Sequence, residues 1–172
     1  GRGGWMVGLS KIHLNLRLIS GVLLLLSFAS SGAAAPTQKA PIKWPTSIDW
    51  VSFEAGQQQA ALTQKPMLVL AYANWCTQCD ALAKSMEDAG FVKLTKSFIM
   101  VLADHDDKSQ GVHVYTPKLT YVPRLLFMKP EGAFWSEMVS GNERYPYFYQ
   151  SSSLEKLMEN MKQSLKAHRQ VK

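Results

Sequence analysis

Met67-Leu-Val-Leu-Ala-Tyr-Ala-Asn-Trp-Cys-Thr-Gln-Cys79 decides how this chain is read. Its opening, Met67 to Ala73, is an apolar run with the length and bulk of a buried strand. Trp75 follows, and then Cys76 and Cys79 in a Cys-x-x-Cys pair. Behind them, Asp80 to Asp88 sets Leu82 and Met86 four residues apart, on one helical face. Both cysteines therefore sit at a strand-to-helix junction, Cys76 in the first turn. Unpaired N–H groups and the positive end of the helix dipole stabilise a thiolate there. Cys79, one turn on, is placed to resolve a mixed disulfide. The spacing points to dithiol–disulfide exchange, with Cys76 the more reactive and more accessible sulfur.

Two blander uses of the pair carry less weight. Zinc takes four protein ligands, or three and a water, and the chain has only these two cysteines. His105 and His113 could complete a set, but their eight-residue separation exceeds the usual His-x3–5-His spacing. No metal and no other cofactor is expected. A purely structural bridge closing so small a ring would remove little chain entropy.

The 172 residues suggest one domain with enough chain for a proper core. From Met6 the pattern is that of a secretory signal peptide: Lys11 and Arg17, then apolar Leu18 to Ala29, then small residues Ser30 to Ala35. An uncleaved anchor is disfavoured because the second half of that stretch is Ser, Gly and Ala rather than Leu. Residues 1–35 are thus expected to be upstream residues plus leader, and no membrane contact is expected after cleavage. Their three basic residues leave 16 against 13 acids in the remainder, a net charge of +3. These charges are dispersed, with no stripe fit for nucleic acid. Proline-rich residues 36–45 are expected to be an extended, poorly ordered linker, and 46–172 to form the domain.

Within it, Ile48 to Val51 is a short β-like piece, and Ser52 caps a helix through Phe53 to Leu62 that ends at Lys65-Pro66. Gly90 breaks the cysteine-bearing helix, and Phe91 to Lys96 adds a short turn. Phe98 to Ala103 is a second buried strand. Arg124–Met128 and Gly132–Met138 form a strand pair about the turn Lys129-Pro-Glu-Gly132. Ser152 and Glu155 make a capping box for a closing helix with Leu154, Leu157, Met158, Met161 and Leu165 at helical spacing. Helices between strands demand parallel crossovers, and the late hairpin adds antiparallel neighbours. The expected fold is α/β: a mixed central sheet of four to five strands with helices on both faces.

Trp75-Cys-x-x-Cys79 after a buried strand, with Val122-Pro123 leading into Arg124–Met128, resembles the thioredoxin superfamily. The blocks Tyr121-Val-Pro-Arg-Leu-Leu-Phe-Met-Lys-Pro-Glu-Gly132, Tyr145-Pro-Tyr-Phe-Tyr149 and Glu159 to Leu165 are similar to its small single-domain endoplasmic-reticulum branch. That branch includes thioredoxin domain-containing protein 12 and the anterior gradient proteins. The resemblance covers roughly residues 44–168. It implies a thioredoxin fold, a cis bond at Val122–Pro123, catalysis by Cys76 and Cys79, and a substrate groove shaped by Trp75, Val122 and Pro123.

The sequence departs from the family pattern in three ways. It ends His168-Arg-Gln-Val-Lys172 rather than in a Lys-Asp-Glu-Leu-like retrieval signal, which makes secretion as well as lumenal residence an expectation. It keeps both cysteines, where anterior gradient proteins typically keep the first. Leu70 stands where thioredoxins carry a buried acid.

The implied function is a secretory-pathway thiol–disulfide oxidoreductase acting on protein thiols and disulfides. A secreted anterior gradient-like factor without essential redox catalysis and a bacterial periplasmic thioredoxin-like reductase are the alternatives. Oligomeric state is not legible. Neutral Gln78 supplies no positive charge to a thiolate, and Asp80 beside the dithiol disfavours a second negative charge there, so a redox poise near thioredoxin is expected.

Overall fold

The computed structural model describes residues 39–170, so the leader expected over 1–35 lies outside the described residues. Among those described, no helix is long and apolar enough to cross a membrane. The elements run β1 (Trp50–Val51), α1 (Phe53–Thr63), β2 (Met67–Tyr72), α2 (Thr77–Ser85), α3 (Ala89–Thr95), β3 (Ile99–Asp104), α4 (Val112–Tyr115), β4 (Arg124–Met128) and α5 (Glu155–Gln170). The sheet order is β1-β3-β2-β4, with β1 and β2 parallel to β3 and β4 antiparallel to β2. It is the mixed sheet expected, with four strands.

Alternation along the strands sorts the core into two layers. Leu68, Leu70, Met100, Leu125 and Phe127 pack with Leu82 of α2, Met86 at its C-cap, Phe91 of α3, and Leu157 and Met161 of α5. Met67, Val69, Ala71, Val101, Leu126 and Met128 face Phe53 and Ala60 of α1 and Val112 of α4. Leu157 and Met161 are wholly buried, and each such side chain contributes roughly 1.5–3 kcal/mol through apolar burial. Tyr149, buried in the first layer, donates to Met138 O at 3.2 Å and accepts from Asn160 Nδ2 at 2.7 Å. Asn160 Nδ2 also donates to Val139 O at 2.8 Å. This satisfied buried network fastens the loop before α5 to the helix itself. Burial pushes the Tyr149 hydroxyl up to about 12, with the Asn160 bond opposing.

Helix α1 starts as its sequence dictates: Ser52 Oγ accepts from Ala55 N–H at 3.3 Å. It stops at Gln64, in the left-handed region at φ 55, whose N–H returns to Ala60 O. Gly56 is required inside α1 because the helix lies against β3; a Cβ there would come within 2.5 Å of Val101 Cγ2.

Local expectation and structure part in four places. Gly90 lies inside α3 rather than breaking the chain; the helix restarts at Asp88, whose carboxylate accepts from Phe91 N–H at 2.8 Å. Gly132–Met138 is not a strand. Phe134 makes one bridge to Met128 and Trp135 N–H bonds Phe127 O at 2.9 Å, and then Met138 N–H turns back to Trp135 O and ends the pairing. The Ser152–Glu155 capping box does not form: Ser152 Oγ donates to Gln150 Oε1, and Ser153 Oγ accepts from Glu155 N–H, each at 3.3 Å. The described part of the linker, 39–45, has no regular structure but is packed. Ile42 and Pro45 are buried, and Trp44 meets Tyr72 edge-on at 5.3 Å and Trp50 at 5.9 Å.

Candidate active site

Cys76 is the N-cap of α2, and its sulfur accepts from Cys79 N–H at 3.1 Å. The two sulfurs are joined in a disulfide whose Cα atoms lie 5.3 Å apart. Cys76 retains 5% exposure and Cys79 none. Both cysteines pack with Ile42, Ala73 and Ala83, and Cys79 is the more deeply buried, so an incoming group meets Cys76. When the bond is reduced, the Cys79 N–H and the open end of the helix both favour a thiolate at Cys76.

The opposite wall comes from the segment before β4. The Val122–Pro123 bond is cis, and Val122 O lies 3.7 Å from Cys76 Sγ. Pro123 is buried and Val122 half-buried. Arg124 follows them, wholly buried, and its guanidinium donates to Tyr121 O while the far nitrogen lies 3.4 Å from His105 Nδ1. Its Nε has no partner among the described residues. The His113 ring lies against His105, tilted by 43° with 5.2 Å between ring centroids. The two histidines meet each other, and His105 meets Arg124, rather than gathering around the dithiol. Burial and the neighbouring Arg124, Lys108 and His113 draw His105 below the usual imidazole range, with Asp106 opposing. A neutral His105 can present Nδ1 as an acceptor to the guanidinium.

On the remaining side stands Trp75, 59% exposed, its indole N–H donating to Asp106 Oδ2 at 2.8 Å. The packed linker reaches the dithiol as well. Lys39 pairs with Asp80 and its ammonium lies 3.4 Å from Cys76 O. Ile42 N–H donates to Asn74 Oδ1 at 3.4 Å. Lys39 therefore offsets the Asp80 charge that the sequence set against the thiolate. Leu70 is wholly buried between Leu102 and Leu125 in the sheet, leaving no acid at that position.

A thioredoxin-like family model matches residues 49–130. Among solved structures, a thioredoxin from Thermus thermophilus superposes with a TM-score of 0.56 at 15% identity, over 69% of this chain and 88% of that one. Curated relatives include anterior gradient protein 2-B of Xenopus laevis, 27% identical over 71% of this chain and 74% of that protein. Anterior gradient protein 3 of Mus musculus is 28% identical over 84% and 91%. A thioredoxin-like domain spans residues 49–130, and the chain is similar to the anterior gradient proteins. Its thioredoxin fold sets Trp75, Cys76 and Cys79 at the β2–α2 junction, with Val122 and Pro123 opposite.

Sequence reading missed a second tier in this thioredoxin-like protein. Arg124 and His105 brace the cis-proline segment from beneath, Asp106 tethers Trp75, and Lys39 and Ile42 close the flank. Arg124 offered one signal: a charged residue opening an otherwise apolar strand. The others depend on tertiary contacts between distant segments.

Proposed function

We propose that this protein is a thiol–disulfide oxidoreductase of the secretory pathway that exchanges disulfides with protein substrates. The reading rests above all on one arrangement: Cys76, the less buried sulfur, caps α2, is bonded to Cys79, and faces the Val122 carbonyl.

In the reducing direction the Cys76 thiolate attacks one sulfur of a substrate disulfide. A bond forms between Cys76 Sγ and that sulfur, and the other leaves as a thiolate, taking the proton given up by Cys79. The Cys79 thiolate then attacks Cys76 Sγ, expels the second substrate sulfur, which takes a proton from water, and restores the Cys76–Cys79 bond. Two electrons pass from the protein to the substrate. Oxidation of a substrate dithiol is the reverse. Trp75, Val122 and Pro123 form the walls along which substrate backbone lies. With Leu70 in place of an acid, proton movement from Cys79 runs through the expelled thiolate or water.

The signal-peptide pattern of residues 6–35 supports export, to the endoplasmic-reticulum lumen or beyond. The relatives, from frogs and mammals, favour an animal secretory protein over a periplasmic reductase. They also favour a second reading, a secreted anterior gradient-like factor in which the dithiol is incidental. Insulin reduction separates the two. Turnover that vanishes in Cys76→Ser supports the oxidoreductase, whereas absence of turnover in the parent supports the factor. N-terminal sequencing of the exported chain tests the leader.

A further inference from the structure

A cleft of about 530 Å³ opens beside the dithiol, lined by Gln78, Val122, Tyr121, Asn142, Tyr145, Phe148 and residues 150–152. Gln78 lies between the two cysteines in sequence, and Val122 O is the oxygen 3.7 Å from Cys76 Sγ. The cleft is thus lined by two residues that flank the reacting sulfur, although Cys76 itself does not line it. Not one of its lining residues is charged: the polar ones are amides and hydroxyls, and the rest are aromatic or aliphatic.

The aromatic wall is held in place before anything binds. Tyr121 OH accepts from Tyr147 N–H at 3.1 Å, and the rings of Tyr121 and Tyr145 meet edge-on at 5.0 Å. Asn142 Oδ1 accepts from the N–H groups of Arg144 and Tyr145 at 3.1 and 2.9 Å, which fixes the turn that carries Tyr145. The Arg144 guanidinium covers the Tyr145 ring at 5.5 Å. Rings already ordered lose little freedom on binding, so more of the contact is realised as affinity. The volume lies inside the range of sites that enclose small ligands, roughly 300–1,000 Å³, and admits one large side chain with adjoining backbone. A charged side chain in the same place would lose water and meet no opposite charge among the lining residues.

We propose that this cleft seats an uncharged aromatic or large aliphatic side chain two positions from the substrate cysteine. In an extended segment that residue projects on the same side as the cysteine, about 6.5–7 Å along the chain. The protein then prefers disulfides set in apolar, charge-poor stretches, as exposed by unfolded chains. This inference rests on the exchange reading of Cys76 and Cys79.

The test uses short peptides, each with one cysteine and linked as a symmetrical disulfide dimer, so that attack on either sulfur gives the same product. They differ only two positions from the cysteine, where they carry Phe, Leu, Ala, Glu or Lys. Pre-reduced protein is mixed with each in a single turnover, and hydroxyethyl disulfide, which has no side chain to place in the cleft, is run alongside. The expected second-order rate for Phe and Leu exceeds that for Ala by about tenfold, within what one apolar pocket discriminates, and Glu and Lys fall below Ala. In Tyr145→Ser the ratio of Phe to Ala collapses toward one. Equal rates across the peptides, with hydroxyethyl disulfide reduced, overturn the cleft proposal and leave the exchange reading standing. Failure to reduce hydroxyethyl disulfide or any peptide overturns both.

Discussion

The Arg124 guanidinium meets His105 Nδ1 at 3.4 Å inside the protein, and among the described residues no carboxylate pairs with it. The contact requires an unprotonated Nδ1. Protonation would remove the acceptor and add a second buried cation beside Lys108 and His113, with only Asp106 in opposition. His105 titrates below its ordinary 6.5 in the folded protein, so the unfolded chain takes up the proton first as pH falls. Stability is full above 6.5 and declines as pH drops from there through the lower folded value. Asp107, held below its ordinary 3.8 chiefly by the Ser109 side chain, acts only at more acid pH. Thermal midpoints measured between pH 7.5 and 5 should fall across this window, and His105→Asn should flatten the decline. A decline of equal size in the variant assigns the effect to other groups.

Arg124→Lys tests the brace itself. A lysine keeps the charge but lacks the planar fork that serves Tyr121 O and His105 Nδ1 together. Leaving one buried group unpaired costs about 1–3 kcal/mol, read as a lower urea midpoint at unchanged slope. Exchange with peptide disulfides should slow beyond what the lost stability explains, because Tyr121 and Val122 lose their anchor. A variant with parent-like stability would show that the guanidinium is dispensable.

Lys39 and Asp80 set opposite charges beside Cys76. Removing the cation in Lys39→Gln exposes the thiolate to Asp80 alone. Alkylation of Cys76 at pH 6 should slow by about two- to fivefold, the range of a partly exposed ion pair, and the midpoint in a glutathione series should become more reducing. Asp80→Asn should shift both the other way, and high salt should shrink both effects. Unchanged alkylation in Lys39→Gln would mean the linker has no electrostatic part in the site.

Gly56→Ala places a Cβ 2.5 Å from Val101 Cγ2. Helix propensity favours the alanine by roughly 1 kcal/mol, but the clash forces α1 off β3, and overpacking of this kind costs about 1–3 kcal/mol. Chemical denaturation should give a net loss. A gain would mean α1 can move outward freely.

The strands were legible because Met67–Ala73 and Phe98–Ala103 are unbroken apolar runs, and both sheet faces bury them. The dithiol junction was legible because β2 ends just before Asn74 and Trp75 and Cys76 caps α2. Gly132–Met138 misled because its composition suits a strand, whereas the turn at Trp135–Met138 is set by Trp135 and Met138 packing into the core. Proline-rich 36–45 read as a loose linker since nothing local shows that Ile42 and Trp44 have a core surface waiting for them. The Arg124–His105 brace joins positions on two strand ends, and no periodicity along the chain encodes that meeting.

The assignment of Cys76 as the attacking sulfur is tested most directly by trapping. Pre-reduced Cys79→Ala lacks the resolving thiol, so a mixed disulfide with an unfolded disulfide-bearing protein should accumulate, with mass spectrometry placing the link on Cys76. Cys76→Ala should trap little, since Cys79 is wholly buried. No adduct with Cys79→Ala, or an equal yield through Cys79 in Cys76→Ala, would contradict the account.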